Sequence, residues 1–140
     1  MTWDSAQYKH QELTQTILGL FYEVYNELGH GFLESVYQEA TLVALRQKGA
    51  QGAMVEGQSP LPVLFRGERS GDLRADLLVG NAVIVELKAG RDLEPIHDTQ
   101  LNYRRASELE VGLLLNFGPS PKIKRLVFAN EKKKNLRLSA

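Results

Sequence analysis

The stretch Leu73-Arg74-Ala75-Asp76-Leu77-Leu78-Val79-Gly80-Asn81-Ala82-Val83-Ile84-Val85-Glu86-Leu87-Lys88 decides how this chain folds. Two runs rich in aliphatic residues flank Gly80-Asn81, a strong turn signal, so the segment predicts a β-hairpin. Side-chain alternation sets the register, because a slip of one residue turns every side chain to the other face of the sheet. Leu73, Ala75, Leu77 and Val79 share one face of the first strand, and Val83, Val85 and Leu87 share one face of the second. Placing both sets on the same side pairs Val79 with Val83, Leu77 with Val85 and Ala75 with Leu87, around a loop of Gly80, Asn81 and Ala82. Asp76 then lies opposite Glu86. A two-residue loop would pair Asp76 with Val85 and put the two carboxylates on opposite faces.

Carboxylates facing each other across a ladder have Cβ atoms roughly 4.5–5.5 Å apart and repel unless something compensates. A divalent cation compensates, and Mg²⁺ or Mn²⁺ takes carboxylate, water and phosphate oxygens in an octahedral shell. Lys88, two residues beyond Glu86, brings a positive charge to the same face, suited to orienting an attacking water or stabilising a pentacoordinate phosphorus. The plain alternative is a pair of cross-strand ion pairs, Asp76 with Lys88 or Glu86 with Arg74, on a solvated sheet face. The apolar flanks argue for the first reading, since they predict a strand pair buried under helices, where charges need a partner or a purpose.

Outward from the hairpin, Leu13, Ile17, Leu20, Phe21, Val24 and Leu28 recur at helical spacing, predicting an amphipathic helix from about His10 to Leu28 that Gly29 stops. A second helix is expected from near Phe32 to Lys48, with Leu33, Val36, Tyr37, Ala40, Val43 and Ala44 on one stripe. Leu61, Val63 and Phe65 alternate with Pro62 and Leu64 as an edge strand would. A helix from about Glu94 to Glu108, a buried strand from Val111 to Asn116 and a further strand or short helix from Ile123 to Phe128 complete the expectation. The order is α-α-β-β-β-α-β followed by a tail, an α/β domain.

With 140 residues, 43% hydrophobic and 24% charged, the chain is expected to fold as a single domain over 1–140. No cysteine is present, which excludes disulfides, thiolate nucleophiles and Cys-ligated zinc. The start lacks a signal-peptide pattern and no run approaches the roughly 18 apolar residues of a membrane span, so a cytoplasmic protein with no membrane partner is expected. Net charge is zero, yet from about 119 to 140 seven basic residues face one acid, against ten basic and sixteen acidic residues before them. Such a basic tail holds a phosphate backbone near a site or is a solvated chain end.

These residues resemble the PD-(D/E)XK nuclease superfamily and, within it, the small bacterial GxxExxY proteins. Gly31-Phe32-Leu33-Glu34-Ser35-Val36-Tyr37 matches the pattern that names the group, Arg74-Ala75-Asp76-Leu77-Leu78-Val79 looks like its acidic motif, and Val85-Glu86-Leu87-Lys88-Ala89 like its Glu-x-Lys strand. The similarity continues through Ile96-His97-Asp98-Thr99-Gln100-Leu101 and Val111-Gly112-Leu113-Leu114-Leu115-Asn116-Phe117-Gly118, from about Leu13 to Phe128.

The resemblance implies a restriction-endonuclease-like αβββαβ core, a mixed central sheet flanked by helices. It implies Mg²⁺ or Mn²⁺ held by Asp76, Glu86 and the backbone carbonyl of Leu87, with Glu34 completing the metal site and Lys88 as catalytic base or electrostatic partner. Gly31 is expected to shape the helix start, and Tyr37, on the apolar stripe, is at least as much a core residue as a site residue. In RecB-like nucleases a glutamine and a tyrosine stand four residues apart on the helix after Glu-x-Lys, whereas Gln100 and Tyr103 are three apart. The missing residue turns the remainder of the helix by about 100°, which makes Gln100 the firmer catalytic candidate. Tyr103, His97 and Arg74 remain substrate-binding candidates. The implied activity is metal-dependent hydrolysis of phosphodiester bonds, in DNA, with an inactive nucleic-acid- or protein-binding module of the same fold as the alternative. The small size leaves a homodimer or a larger complex open.

Overall fold

The hairpin forms with the register that alternation dictates. In the computed structural model, which describes residues 10–48, 55–95, 97, 109–127 and 133, Val79 pairs with Val83, Leu78 with Ile84 and Leu77 with Val85. Gly80 (φ 63°) and Asn81 (φ 50°) both adopt left-handed conformations, which side chains other than Gly and Asn resist. The Ala82 N–H closes the turn on the Val79 carbonyl at 3.1 Å.

Seven elements succeed one another: α1 (Gln11–Leu28), α2 (Glu34–Lys48), β1 (Val55–Phe65), β2 (Glu68–Val79), β3 (Val83–Lys88), β4 (Val111–Phe117) and β5 (Pro121–Val127). The strands form one sheet in the order β1-β2-β3-β4-β5. All neighbours are antiparallel except β3 and β4, which run parallel in unbroken register from Val83 opposite Val111 to Lys88 opposite Asn116. This is the mixed α/β architecture expected. The prolines of β1 stand on an edge strand, where a missing ladder donor is tolerated. Residues 123–127, left open between strand and helix, belong to β5. Most of the helix expected over 94–108 lies outside the described residues; Pro95 and His97 are helical.

Val83, Val85 and Leu87 of β3 and Val111, Leu113, Leu115 and Phe117 of β4 bury against Ile17, Leu20, Phe21 and Val24 of α1 and Tyr37, Leu42 and Leu45 of α2. Tyr37 is fully buried, stacked on Phe117 with centroids 4.1 Å apart. Its hydroxyl donates to the Gly29 carbonyl and accepts the Phe32 N–H at 3.3 Å. Tyr37 therefore ties the α1–α2 connection to the sheet.

Two expectations about faces need correction. Of the stripe expected on α2, Tyr37 lies in the core with Ala40 and Ala44 packed against it, but Val36, Val43 at 51% and, just before the helix, Leu33 at 76% are exposed; Thr41, Leu42 and Leu45 are buried instead. Tyr37 is common to the expected and the observed faces, and the helix is rotated about it toward Thr41 and Leu45. In β2, Leu77 and Val79 lie in the core under the helices, but Ala75 and Leu73 pack with Leu61 and Ile84 in a second cluster on the other face. Strict alternation would keep Ala75 and Leu77 together. It breaks at Asp76.

Candidate functional site

Asp76 is skipped on both sides of its strand. The β1–β2 pairing passes from Gly57–Leu77 to Ser59–Ala75 without a Gln58–Asp76 pair, and the β2–β3 pairing reaches no further than Leu77–Val85. The expected pairing of Ala75 with Leu87, and with it a regular ladder pair of Asp76 and Glu86, is therefore not formed. A buried backbone N–H on β3 then needs another acceptor. The Asp76 carboxylate supplies it, accepting the Leu87 N–H on Oδ2 at 2.9 Å. Since the Leu87 nitrogen belongs to the Glu86–Leu87 peptide, the carboxylate of β2 sits against that peptide. Sequence reasoning brought Asp76 to this place by register; the contact is instead a side-chain bond at a break in the ladder.

The alternation of β3 is regular, so Glu86 and Lys88 share the face of Ile84, away from the helices. Glu86 is only 6% exposed and stands beside Leu114 in the parallel ladder. A carboxylate in such surroundings is costly unless a donor or a cation meets it. Lys88 is half-buried at the end of β3, opposite Asn116. Asn116 is fully buried, and its amide forms a reciprocal pair with Gly90, each bond 3.0 Å long. Gly118 lies so close to this junction that a Cβ there would overlap the Gly90 carbonyl oxygen and stand 2.9 Å from Nδ2 of Asn116. The segment just past Lys88 is thus clamped to the end of β4. The sequence signal for Asn116 is one amide in an otherwise apolar run.

One further residue that the sequence did not single out meets Asp76, and a second reaches it through the first. Gln58, opposite Asp76 on β1, brings Nε2 to 3.5 Å from Asp76 Oδ1 and donates to Oε1 of Gln38 at 2.8 Å. Gln38 lies one turn of α2 beyond Glu34. Glu34 itself is exposed in the first turn of that helix. Among the described residues no three histidine, aspartate or glutamate side chains converge to hold a metal ion. The expected triad of Glu34, Asp76 and Glu86 is therefore not assembled, and the α2 residue linked to Asp76 is Gln38.

Arg74 is exposed and donates through Nη1 to the Gln58 carbonyl at 2.7 Å. His97 caps its own helix start: Nδ1 accepts the Glu94 N–H at 3.0 Å, and the His97 N–H donates to the Glu94 carbonyl at 2.9 Å. Gln100 and Tyr103 lie outside the described residues. In the basic C-terminal region, Lys122, Lys124 and Arg125 belong to β5, and Lys133 is buried with Nζ donating to the Leu109 carbonyl at 2.7 Å. Lys133 is thus engaged in the fold. On β2, the exposed Arg69 hydrogen-bonds Asp72, and that bond together with the Asp72 charge holds its guanidinium protonated beyond its ordinary range.

The carboxylates of Asp76 and Glu86 and the Leu87 carbonyl, the expected ligands, offer oxygen donors alone. Such a set fits a hard divalent ion and not a soft one. Asp76 Oδ1, which the Gln58 amide approaches at 3.5 Å, retains lone pairs that a cation can take.

Neither the comparison with curated proteins nor that with solved structures returns a match. The model of one family, described as the PD-(D/E)XK nuclease superfamily, matches residues 11–126, a span that takes in both helices, the hairpin, β4 and most of β5. The chain belongs to the PD-(D/E)XK nuclease superfamily.

Proposed function

We propose that the chain is a Mg²⁺- or Mn²⁺-dependent nuclease that hydrolyses phosphodiester bonds in DNA, a single-domain cytoplasmic bacterial protein of the GxxExxY group. The observation that carries this reading is the bond from the Leu87 N–H to Asp76, which brings an acidic residue of β2 against the Glu86–Leu87 peptide with Lys88 one pleat away. Asp76, Glu86 and the Leu87 carbonyl would hold the ion. When bound, it supplies a Lewis acid and lowers the pKa of its water. Lys88 presents its ammonium on the Glu86 face, where it stabilises charge growing on phosphate oxygens or passes a proton at Nζ. The Asn116–Gly90 clamp keeps that end of β3 from swinging. Gln100 contributes from the segment after Glu-x-Lys, with Tyr103 as a substrate contact.

A second reading, a binding module with this fold and no turnover, is favoured by the exposed position of Glu34 and by the absence, among the described residues, of three acidic or histidine side chains gathered to hold an ion. Incubating single- and double-stranded DNA and RNA with Mg²⁺ or Mn²⁺ separates the two. Metal-dependent cleavage abolished by Asp76→Ala and Lys88→Ala supports the nuclease. Nucleic-acid binding without cleavage, unchanged by Asp76→Ala, supports the module.

A further inference from the structure

Gln58 is a non-glycine residue in the left-handed region, at φ 51°. Such a conformation crowds Cβ against the backbone and persists where surrounding contacts over-determine it. Three contacts do so here. Arg74 Nη1 holds the Gln58 carbonyl at 2.7 Å, Gln38 Oε1 accepts one Nε2 proton at 2.8 Å, and the second Nε2 proton is left to point at Asp76 Oδ1, 3.5 Å away. The residue stands directly opposite Asp76, at the one β1–β2 position where the ladder is skipped without a register shift. Strain, a break in the ladder and a fixed amide thus coincide at the candidate ligand.

We infer that Gln58 is a positioning residue for the Asp76 carboxylate. Its amide, aimed by Gln38 from α2, holds Oδ1 while Leu87 holds Oδ2, and so sets the carboxylate plane in which a divalent ion is taken. A carboxylate ligand held from outside by hydrogen bonds binds metal more tightly than one free to rotate. The inference rests on the metal-dependent reading above, but half of its test needs no metal.

The test uses Gln58→Gly and Gln58→Asn in the full chain. Glycine accepts φ near 51° without strain and asparagine tolerates it, so both variants should fold, with thermal midpoints close to wild type without metal. Asparagine keeps an amide that is one methylene too short. The first readout is amide hydrogen exchange at Leu87 without metal: in both variants it should speed up, while Val85 stays protected, because the released carboxylate turns away from the Leu87 N–H. The second is the Mn²⁺-induced rise in thermal midpoint, whose half-saturating concentration should increase about 10- to 100-fold. Unchanged Leu87 protection and unchanged Mn²⁺ dependence in both variants would overturn the inference. Faster Leu87 exchange in a protein whose wild type shows no Mn²⁺ response supports the positioning role and sinks the metal-dependent reading instead.

Discussion

The backbone N–H of Leu87 donates to Oδ2 of Asp76 at 2.9 Å, in place of the ladder bond that β2 would otherwise provide. One carboxylate therefore completes the backbone hydrogen bonding of β3 and stands ready as a ligand. Substitutions at Asp76 should separate these roles. Asp76→Asn keeps an acceptor for Leu87 and should lose little stability, whereas Asp76→Ala leaves that N–H bare and should cost about 1–3 kcal/mol in urea denaturation. Both should abolish the response to Mn²⁺ in a thermal melt.

Lys88 is half-buried at a strand end, so Lys88→Met should keep the fold within about 1 kcal/mol of wild type. Its cleavage rate should drop by at least about 100-fold, the usual consequence of removing one group that stabilises transition-state charge. A variant that still cleaves at the wild-type rate would remove Lys88 from the chemistry.

Tyr37 joins the fully buried aromatic stack to the Gly29–Phe32 connection. Tyr37→Phe keeps the ring on Phe117 and leaves the Gly29 carbonyl and Phe32 N–H without the hydroxyl, for an expected loss of about 1–2 kcal/mol. Tyr37→Ala opens a cavity against Phe117 and should lose about 3–5 kcal/mol. Calorimetry on both variants gives the two contributions.

At Gly118 any added methyl meets the Gly90 carbonyl and the Asn116 amide. Gly118→Ala should therefore destabilise by about 1–3 kcal/mol, as overpacking does. Because it pushes on the segment just past Lys88, cleavage measured well below the melting temperature should fall as well. Wild-type activity in a destabilised Gly118→Ala protein would show that the clamp serves stability alone.

Thr41 is fully buried on α2, and its hydroxyl finds no partner among the described residues. Thr41→Val replaces that hydroxyl with a methyl of similar size and relieves the desolvation of an unbonded group. A gain of about 1 kcal/mol, or roughly 3–5 °C in thermal midpoint for a chain of this length, should appear in a melt.

Much of this protein is legible in its sequence. The three-residue turn at Gly80-Asn81-Ala82 and the pairs Val79–Val83 and Leu77–Val85 arise from period-two alternation in two apolar runs, because burial on one face penalises every other register. The span of α1, the edge position of β1 and the burial of β4 are readable on the same grounds, since each depends on neighbours within its own segment. The rotation of α2 is not. Its spacing places Tyr37, Ala40 and Ala44 toward the core, but which neighbours join them, Thr41, Leu42 and Leu45 and not Leu33, Val36 and Val43, depends on how the helix docks on the sheet, with Tyr37 stacked on Phe117 far along the chain. Asp76 shows the same division. The sequence by itself determined that an acidic residue of β2 would reach the Glu86–Lys88 strand. Only the tertiary structure decided how: the chain reverses faces between Ala75 and Leu77, β1 and β3 both release Asp76 from their ladders, and the carboxylate is left to Leu87 and Gln58. Alternation describes a regular strand, and the candidate site lies where the strand stops being regular.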